Sequence, residues 1–277
     1  MIHYPAYKVA AAHLAPVFLD TDRSVDKACS VIEEAAGHGA RLIAFPEVFL
    51  PGFPVWAGIE APIRTHELFK KLAASAVSIN GPELARIRQT ARQKGIFVSI
   101  GFTEGTKTSV GCLWNSNALI GADGALLHHR KLVPTWYEKL IWANGDARGL
   151  RVCDTELGRI GMLICGENTN PLARFALMAE GEQVHISSYP PVWPTRPPEG
   201  GGNYDLAQAI RIRAARACLR SQGLQPGSLV LRRPNAAARN RNRPRPGVVA
   251  DPGALAPWTF GGPRPDRHGR GRRTMPG

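Results

Sequence analysis

The sequence predicts an α/β protein with helices packed on a mixed sheet. Three observations carry that expectation. Strand-like and helix-like segments alternate through the first 215 residues, Gly121-Ala122-Asp123-Gly124 reads as a hairpin turn between two apolar runs, and Pro82–Lys94 carries its own start and stop signals. Alternation argues for parallel strands covered by helices, and the hairpin adds an antiparallel pair.

The elements follow in order. Lys8–Ala15 is short and apolar, which suits a buried strand. Ser24–Gly37 places Val25, Ala28, Cys29, Ile32 and Ala36 at helical spacing and stops at Gly37 and Gly39. Leu42–Phe45 is a second buried strand. Pro82–Lys94 starts with proline in its first turn and ends at Gly95. Ile96–Phe102 is a strand, and Leu113–Ile120 and Ala125–His129 flank the hairpin turn. Arg159–Ile164 reads as a strand, Pro171–Glu180 as a helix, Gln183–Ser188 as a strand and Tyr204–Ala217 as a helix.

At 277 residues and 44% hydrophobic content, one domain with a sizeable core is expected. The net charge of +13 would suit a nucleic-acid or membrane-surface partner. Its distribution argues otherwise. From Arg216 onward there are 13 Arg, no Lys and 2 Asp, a net of +11, which leaves +2 for residues 1–215. The chain therefore divides into a globular domain, 1–215, and an Arg/Pro/Gly-rich tail, 216–277, whose composition alone predicts disorder. With only Trp258 and Phe260 as aromatics, the tail lacks the interleaving of a nucleic-acid module. Binding there would be salt-dependent and non-specific, so no specific nucleic-acid partner is expected.

The five cysteines, Cys29, Cys112, Cys153, Cys165 and Cys218, are odd in number, widely spaced and without CxxC. That pattern disfavours a disulfide framework or a zinc site and suits a reducing, cytoplasmic compartment. No window reaches the roughly 18 apolar residues of a membrane span. The apolar stretch Val9–Leu19 is interrupted by His13 and Pro16 and lacks a basic leader, so neither a membrane partner nor a signal peptide is expected.

Three reactive side chains share a location. Glu47 follows Leu42–Phe45, Lys131 follows Ala125–His129, and Cys165 closes Arg159–Ile164 ahead of a helix. Open α/β sheets bind ligands at the carboxyl ends of strands, so the three can converge on one pocket. Asn168, Thr169 or Asn170 can cap the helix after Cys165, with Pro171 in its first turn. A thiol beside a helix N-terminus is expected to have a lowered pKa and more thiolate. A lone cysteine also serves as a small buried apolar residue. Glu47 lies in the apolar run Phe45-Pro46-Glu47-Val48-Phe49-Leu50, where desolvation would raise its pKa into the range useful for proton transfer. The alternative is a solvated loop-edge glutamate. Lys131 either stabilises a developing anion or belongs to a solvated basic cluster with Arg130. Glu138 is either a second site carboxylate or an exposed residue of a short helix.

Phe45-Pro46-Glu47, His129-Arg130-Lys131 and Cys165-Gly166-Glu167 resemble the three catalytic segments of the carbon–nitrogen hydrolase (nitrilase) superfamily. The flanks Lys131-Leu132-Val133-Pro134-Thr135-Trp136-Tyr137-Glu138, Asn168-Thr169-Asn170-Pro171-Leu172-Ala173-Arg174-Phe175 and Gln183-Val184-His185-Ile186-Ser187-Ser188-Tyr189-Pro190-Pro191 are similar to the nitrilase branch. The likeness covers roughly residues 5–215.

The resemblance implies an αββα sandwich and a Glu47–Lys131–Cys165 triad that hydrolyses a small-molecule nitrile to the carboxylic acid and ammonia. Glu138 matches a supporting second glutamate. No cofactor and no metal are implied. Phe53, Trp56, Tyr189 and Trp193 stand in the aromatic, proline-rich segments expected to line the substrate pocket. An amidase or carbamoylase of the same superfamily would use the same triad, and a non-enzymatic nucleic-acid binder would use the basic tail. Family members form homo-oligomers through dimers, with a contribution from the C-terminal region, where this chain departs from the pattern. His13 also stands where the family usually has glutamine.

After Arg216 the family would continue with more strands of the sandwich. Residues 216–230 can be written in codons that, read one base later, give A-H-A-F-E-A-K-V-F-N-L-V-A-S, a helix end followed by an apolar strand. The sequence thus predicts a frameshift near Ala215–Arg216 and a sandwich incomplete at its C-terminus. Apolar burial contributes roughly 25 cal/mol per Å² against a net stability of about 5–15 kcal/mol. Losing several strands would exceed that margin and leave a poorly folded or inactive chain.

Overall fold

A computed structural model describes residues 6–191 and the backbone of Ser228–Leu231. Strands β1 (Lys8–Ala11), β2 (Ala40–Ala44), β3 (Phe97–Glu104), β4 (Trp114–Ile120) and β5 (Leu126–Arg130) form one sheet in that spatial order. The first three run parallel, and β3, β4 and β5 are antiparallel neighbours. A second sheet has the order β6 (Cys153–Thr155), β7 (Gly158–Ile164), β8 (Val184–Ser188) and β9 (Ser228–Leu231). There β6 is antiparallel to β7, while β7, β8 and β9 are parallel.

Side-chain alternation explains the layering. Leu42 and Ala44 of β2, Phe97 and Leu119 meet Leu157 of the β6–β7 turn and Ile160, Met162 and Ile186 of the second sheet. On the outer face of the first sheet, Ile43, Val98, Ile100 and Ile120 pack with Val25, Ala28 and Ile32 of α1 (Thr21–Gly37) and Leu84, Ile87 and Ala91 of α3 (Pro82–Lys94). Leu163 turns to the outer face of the second sheet and packs with Ala173 and Leu177 of α4 (Pro171–Ala179). The result is the αββα sandwich. The eight residues of β3 are all buried because helices cover one face and the second sheet covers the other.

Two elements escape the sequence reading. In α2 (Pro62–Ala74) only Thr65 and Leu72 are fully buried, so its apolar stripe is too sparse to announce a helix. Strand β6 has three residues and no room for a period. Periodicity alone suggested one mixed sheet, and the structure divides the strands between two. The helix expected at Tyr204–Ala217 lies outside the described residues. Of residues 216–277, whose composition predicts disorder, only Ser228–Leu231 is described, and it runs parallel to β8 from His185↔Ser228 to Ser188↔Leu231. Ser-Leu-Val-Leu is a short apolar island whose local strand preference differs from the average of the tail. Among the described residues no helix is long and apolar enough to cross a membrane.

Candidate active site

Glu47, Lys131 and Cys165 directly follow or lie just beyond the carboxyl ends of β2, β5 and β7. The turn carrying Glu47 lies against β3. A Cβ on Gly101 would collide with the backbone of Pro46 and Val48, so glycine is what lets this turn approach the sheet. The Asn115 carbonyl of β4 accepts the Lys131 amide at 2.8 Å. Cys165 adopts φ +52°, a left-handed conformation that costs a β-carbon-bearing residue energy and collects at functional sites. The buried Asn168 side chain braces it, donating to the Cys165 carbonyl at 2.9 Å and the Leu163 carbonyl at 3.3 Å. Its Oδ1 accepts from His185 Nε2 at 2.7 Å and Ser187 Oγ at 2.6 Å.

The side chains converge. Lys131 Nζ donates to Glu47 Oε1 at 2.9 Å and to Glu138 Oε2 at 2.7 Å, with all three residues buried. Asn115 Nδ2 donates to the same Glu47 oxygen at 2.7 Å. Glu138, in the short 3-10 turn Trp136–Leu140, also accepts the Thr135 amide at 2.8 Å. Ligand-type atoms of Glu47, Glu138 and Cys165 all lie within 4.8 Å of one another. That spacing could hold a metal ion, but the Lys131 ammonium already bonds both carboxylates and supplies positive charge there. Glu47 Oε2 has no hydrogen-bond partner among the described residues.

Electrostatics assign different proton affinities to these groups. Burial pushes Glu47 up to about 7; the Glu138 charge adds to this, while Lys131 and Asn115 oppose it. Burial disfavours the Lys131 ammonium, yet the neighbouring Glu47, Cys165 and Glu138 hold its pKa well above the usual lysine value. Burial also pushes the Cys165 thiol up, Glu47 adds to the rise, and Lys131 opposes it. This corrects the expectation of a lowered thiol pKa. The α-helix begins only at Pro171, and its terminal field falls off within a turn, whereas burial and a nearby carboxylate act directly on the sulfur. A thiol whose pKa is raised in this way would need a neighbouring base to become a thiolate.

Of the aromatic residues expected near substrate, Phe53 and Trp56 belong to a buried cluster with Val48, Tyr137, Ile141 and Trp142. Tyr137 neighbours Glu138 in sequence, and Glu47 and Cys165 both act on its hydroxyl electrostatically. Tyr189 is buried, and its carbonyl accepts the Glu47 amide at 3.3 Å. Trp193 lies outside the described residues. Asn115 was missed in sequence as a member of the site, because it meets Glu47 only once strands far apart in the chain are adjacent. Asn168 was read only as a possible helix cap, a place that Asn170 takes, while Asn168 turns back to the Leu163 and Cys165 carbonyls.

A family model for carbon-nitrogen hydrolases matches residues 8–219. A nitrilase of Paraburkholderia phymatum is 37% identical over 184 residues, covering 66% of this chain and 53% of that protein. A bromoxynil-specific nitrilase of Klebsiella pneumoniae subsp. ozaenae is 38% identical over 185 residues, covering 66% and 52%. The chain thus spans about half the length of the curated relatives it matches. Among solved structures, Nit3 of Saccharomyces cerevisiae, a member of branch 10 of the nitrilase superfamily, superposes with a TM-score of 0.63 at 17% identity, covering 83% of this chain and 77% of that one. With its matching family model and its αββα layers, the chain belongs to the carbon-nitrogen hydrolase family.

Proposed function

We propose that this chain is a nitrilase that hydrolyses an organic nitrile to the carboxylic acid and ammonia, with Cys165 as nucleophile, Glu47 as general base and acid, Lys131 as anion stabiliser and Glu138 in support. The observation that carries the reading is the meeting of a strained, partly exposed cysteine with a buried carboxylate–ammonium pair. The Cys165 proton moves to Glu47 as sulfur bonds to the nitrile carbon. Glu47 returns that proton to the nitrile nitrogen, giving a thioimidate. Water then adds to the same carbon while Glu47 takes one of its protons. Delivery of that proton to nitrogen gives a tetrahedral carbon bearing a hydroxyl and an amino group, and Glu47 then carries the hydroxyl proton to nitrogen as well, so that ammonia leaves and the thioester carbonyl forms. A second water attacks the thioester, the acid departs, and the sulfur regains its proton. In this reading Lys131 offsets the negative charge that develops during each addition.

The test is ammonia release across aliphatic, arylaliphatic and aromatic nitriles with matched amides. It is run on the full chain and on a version whose C-terminal part is restored from the shifted frame. At least one nitrile should be turned over about tenfold faster than its amide, a margin within reach of pocket contacts. Faster amide hydrolysis would reassign the chain to the amidase reading. The frame-restored version should be the more stable and more active of the two. If no frame of the gene after codon 215 encodes strands of this family, the frameshift proposal fails. A homo-oligomer and a cytoplasmic setting are part of the same proposal, the latter supported by the free thiols of Cys29, Cys112 and Cys153.

The pH dependence has a definite sign. Glu47 can accept a proton only when ionised, and it ionises above about 7. Alkylation of Cys165 by iodoacetamide should therefore speed up as pH rises through about 7. Glu47→Gln should abolish that inflection. An inflection that survives in the variant would place the base elsewhere.

A further inference from the structure

We infer that Glu167 is a positioning residue that sets the spacing between Lys131 and Cys165. The side chain is buried and touches neither reacting group. Its Oε1 accepts the Leu132 amide at 2.6 Å, and its Oε2 accepts the Ile164 amide at 2.9 Å. Leu132 follows Lys131, and Ile164 precedes Cys165. One carboxylate therefore holds the backbone one residue away from each of the two groups. His129 Nε2 lies 3.0 Å from Oε2, which makes a third contact.

The arrangement matters because the two held segments belong to different sheets. Lys131 follows β5 of the first, and Cys165 follows β7 of the second. Apolar side chains pack the sheets together further along the strands, but they do not fix a register to fractions of an ångström. Two hydrogen bonds to a charged acceptor are short and directional, and they do so at the reacting end. Lys131 Nζ is tied laterally to Glu47 and Glu138, so moving either backbone segment changes the distance from the ammonium and carboxylates to the sulfur.

A carboxylate is required rather than an amide. Both oxygens accept from backbone N–H groups, and the Leu132 and Ile164 amides approach different oxygens. In Glu167→Gln one of those amides would face the side-chain NH2, donor against donor. The shape and volume of the residue are otherwise kept.

The kcat part of the test rests on the nitrile-hydrolase reading, and the alkylation part does not. In the full-length Glu167→Gln variant, reactive Cys165 is titrated with iodoacetamide and read at its own peptide by mass spectrometry. Turnover is then expressed per titrated site. Misplacement by an ångström costs about 100-fold in rate, so kcat per site should fall about that much while KM stays within about threefold. Cys165 alkylation should slow at least tenfold at every pH, with its inflection unmoved. A residue that only stabilises the fold would lower the melting temperature and leave both rates per site unchanged. Rates within twofold of the parent would overturn the inference. If the parent hydrolyses no nitrile, the functional reading fails while the alkylation comparison still decides the role of Glu167. Should Glu167→Gln fail to fold, Glu167→Asp is measured in the same way, since it keeps the charge but cannot reach both amides. A tenfold or larger loss per site supports the inference, and parental rates defeat it.

Discussion

On the proposed mechanism, replacing Cys165 with alanine should remove nitrile turnover, with kcat falling by at least about 10³-fold, as expected when a covalent nucleophile is lost. Alanine keeps the β-carbon at φ +52° and deletes only the sulfur, so the turn should survive. Far-UV circular dichroism and the urea midpoint should stay close to the parent. The companion Cys165→Gly separates chemistry from strain. Glycine adopts the left-handed region freely, so it should be about 1 kcal/mol more stable than the alanine variant while equally inactive. Ammonia release and urea titration measure the two effects side by side. Turnover within tenfold of the parent in either variant would move the nucleophile to another residue.

Lys131→Met should damage stability and activity together. The ammonium is buried between two carboxylates, and methionine leaves Glu47 and Glu138 facing each other unpaired. Breaking a buried pair from one side costs about 3–5 kcal/mol. Glu47 also loses the charge that holds its pKa down, so it should rise above about 7 and stay protonated at neutral pH. Losing the proposed charge stabiliser and the proposed base together should cost at least about 10²–10³ in kcat. Urea denaturation gives the first number and ammonia release the second. Adding Glu47→Gln to Lys131→Met should recover part of the stability and none of the turnover. A Lys131→Met chain as stable as the parent would mean that the pair is solvated.

Much of the fold was legible because local signals and burial agree. The start of α3 at Pro82 and its end before Gly95 fall where proline and glycine place them. The β4–β5 hairpin follows its Gly121–Gly124 turn. The division into two sheets was not legible from periodicity, because a strand's alternation does not say what covers each face. Leu42 and Ile43 look equally apolar in sequence, yet one meets the second sheet and the other a helix. For the site, Glu47, Lys131 and Cys165 were legible as strand-end groups. Their proton affinities were not all so. Glu47 moves in the direction that its apolar run suggests, whereas the thiol moves against the helix-end argument, since desolvation by the assembled site outweighs a local dipole. Glu167 was visible as part of Cys-Gly-Glu, but its partners are backbone amides of Leu132 and Ile164, and no side-chain pattern records a backbone amide.

The uneven occupancy of the Glu47 carboxylate constrains the timing of the proposed reaction. Oε1 is engaged by Asn115 and Lys131, and only Oε2 is left without a partner among the described residues. A single oxygen then serves as both inlet and outlet for protons. It can carry one at a time, so each proton taken from the thiol or from water must be delivered to nitrogen or sulfur before the next is accepted. The two hydrations are forced into strict alternation of loading and unloading. Solvent-isotope measurements should accordingly find one proton in flight per step, with no concerted two-proton transfer in either half of the cycle.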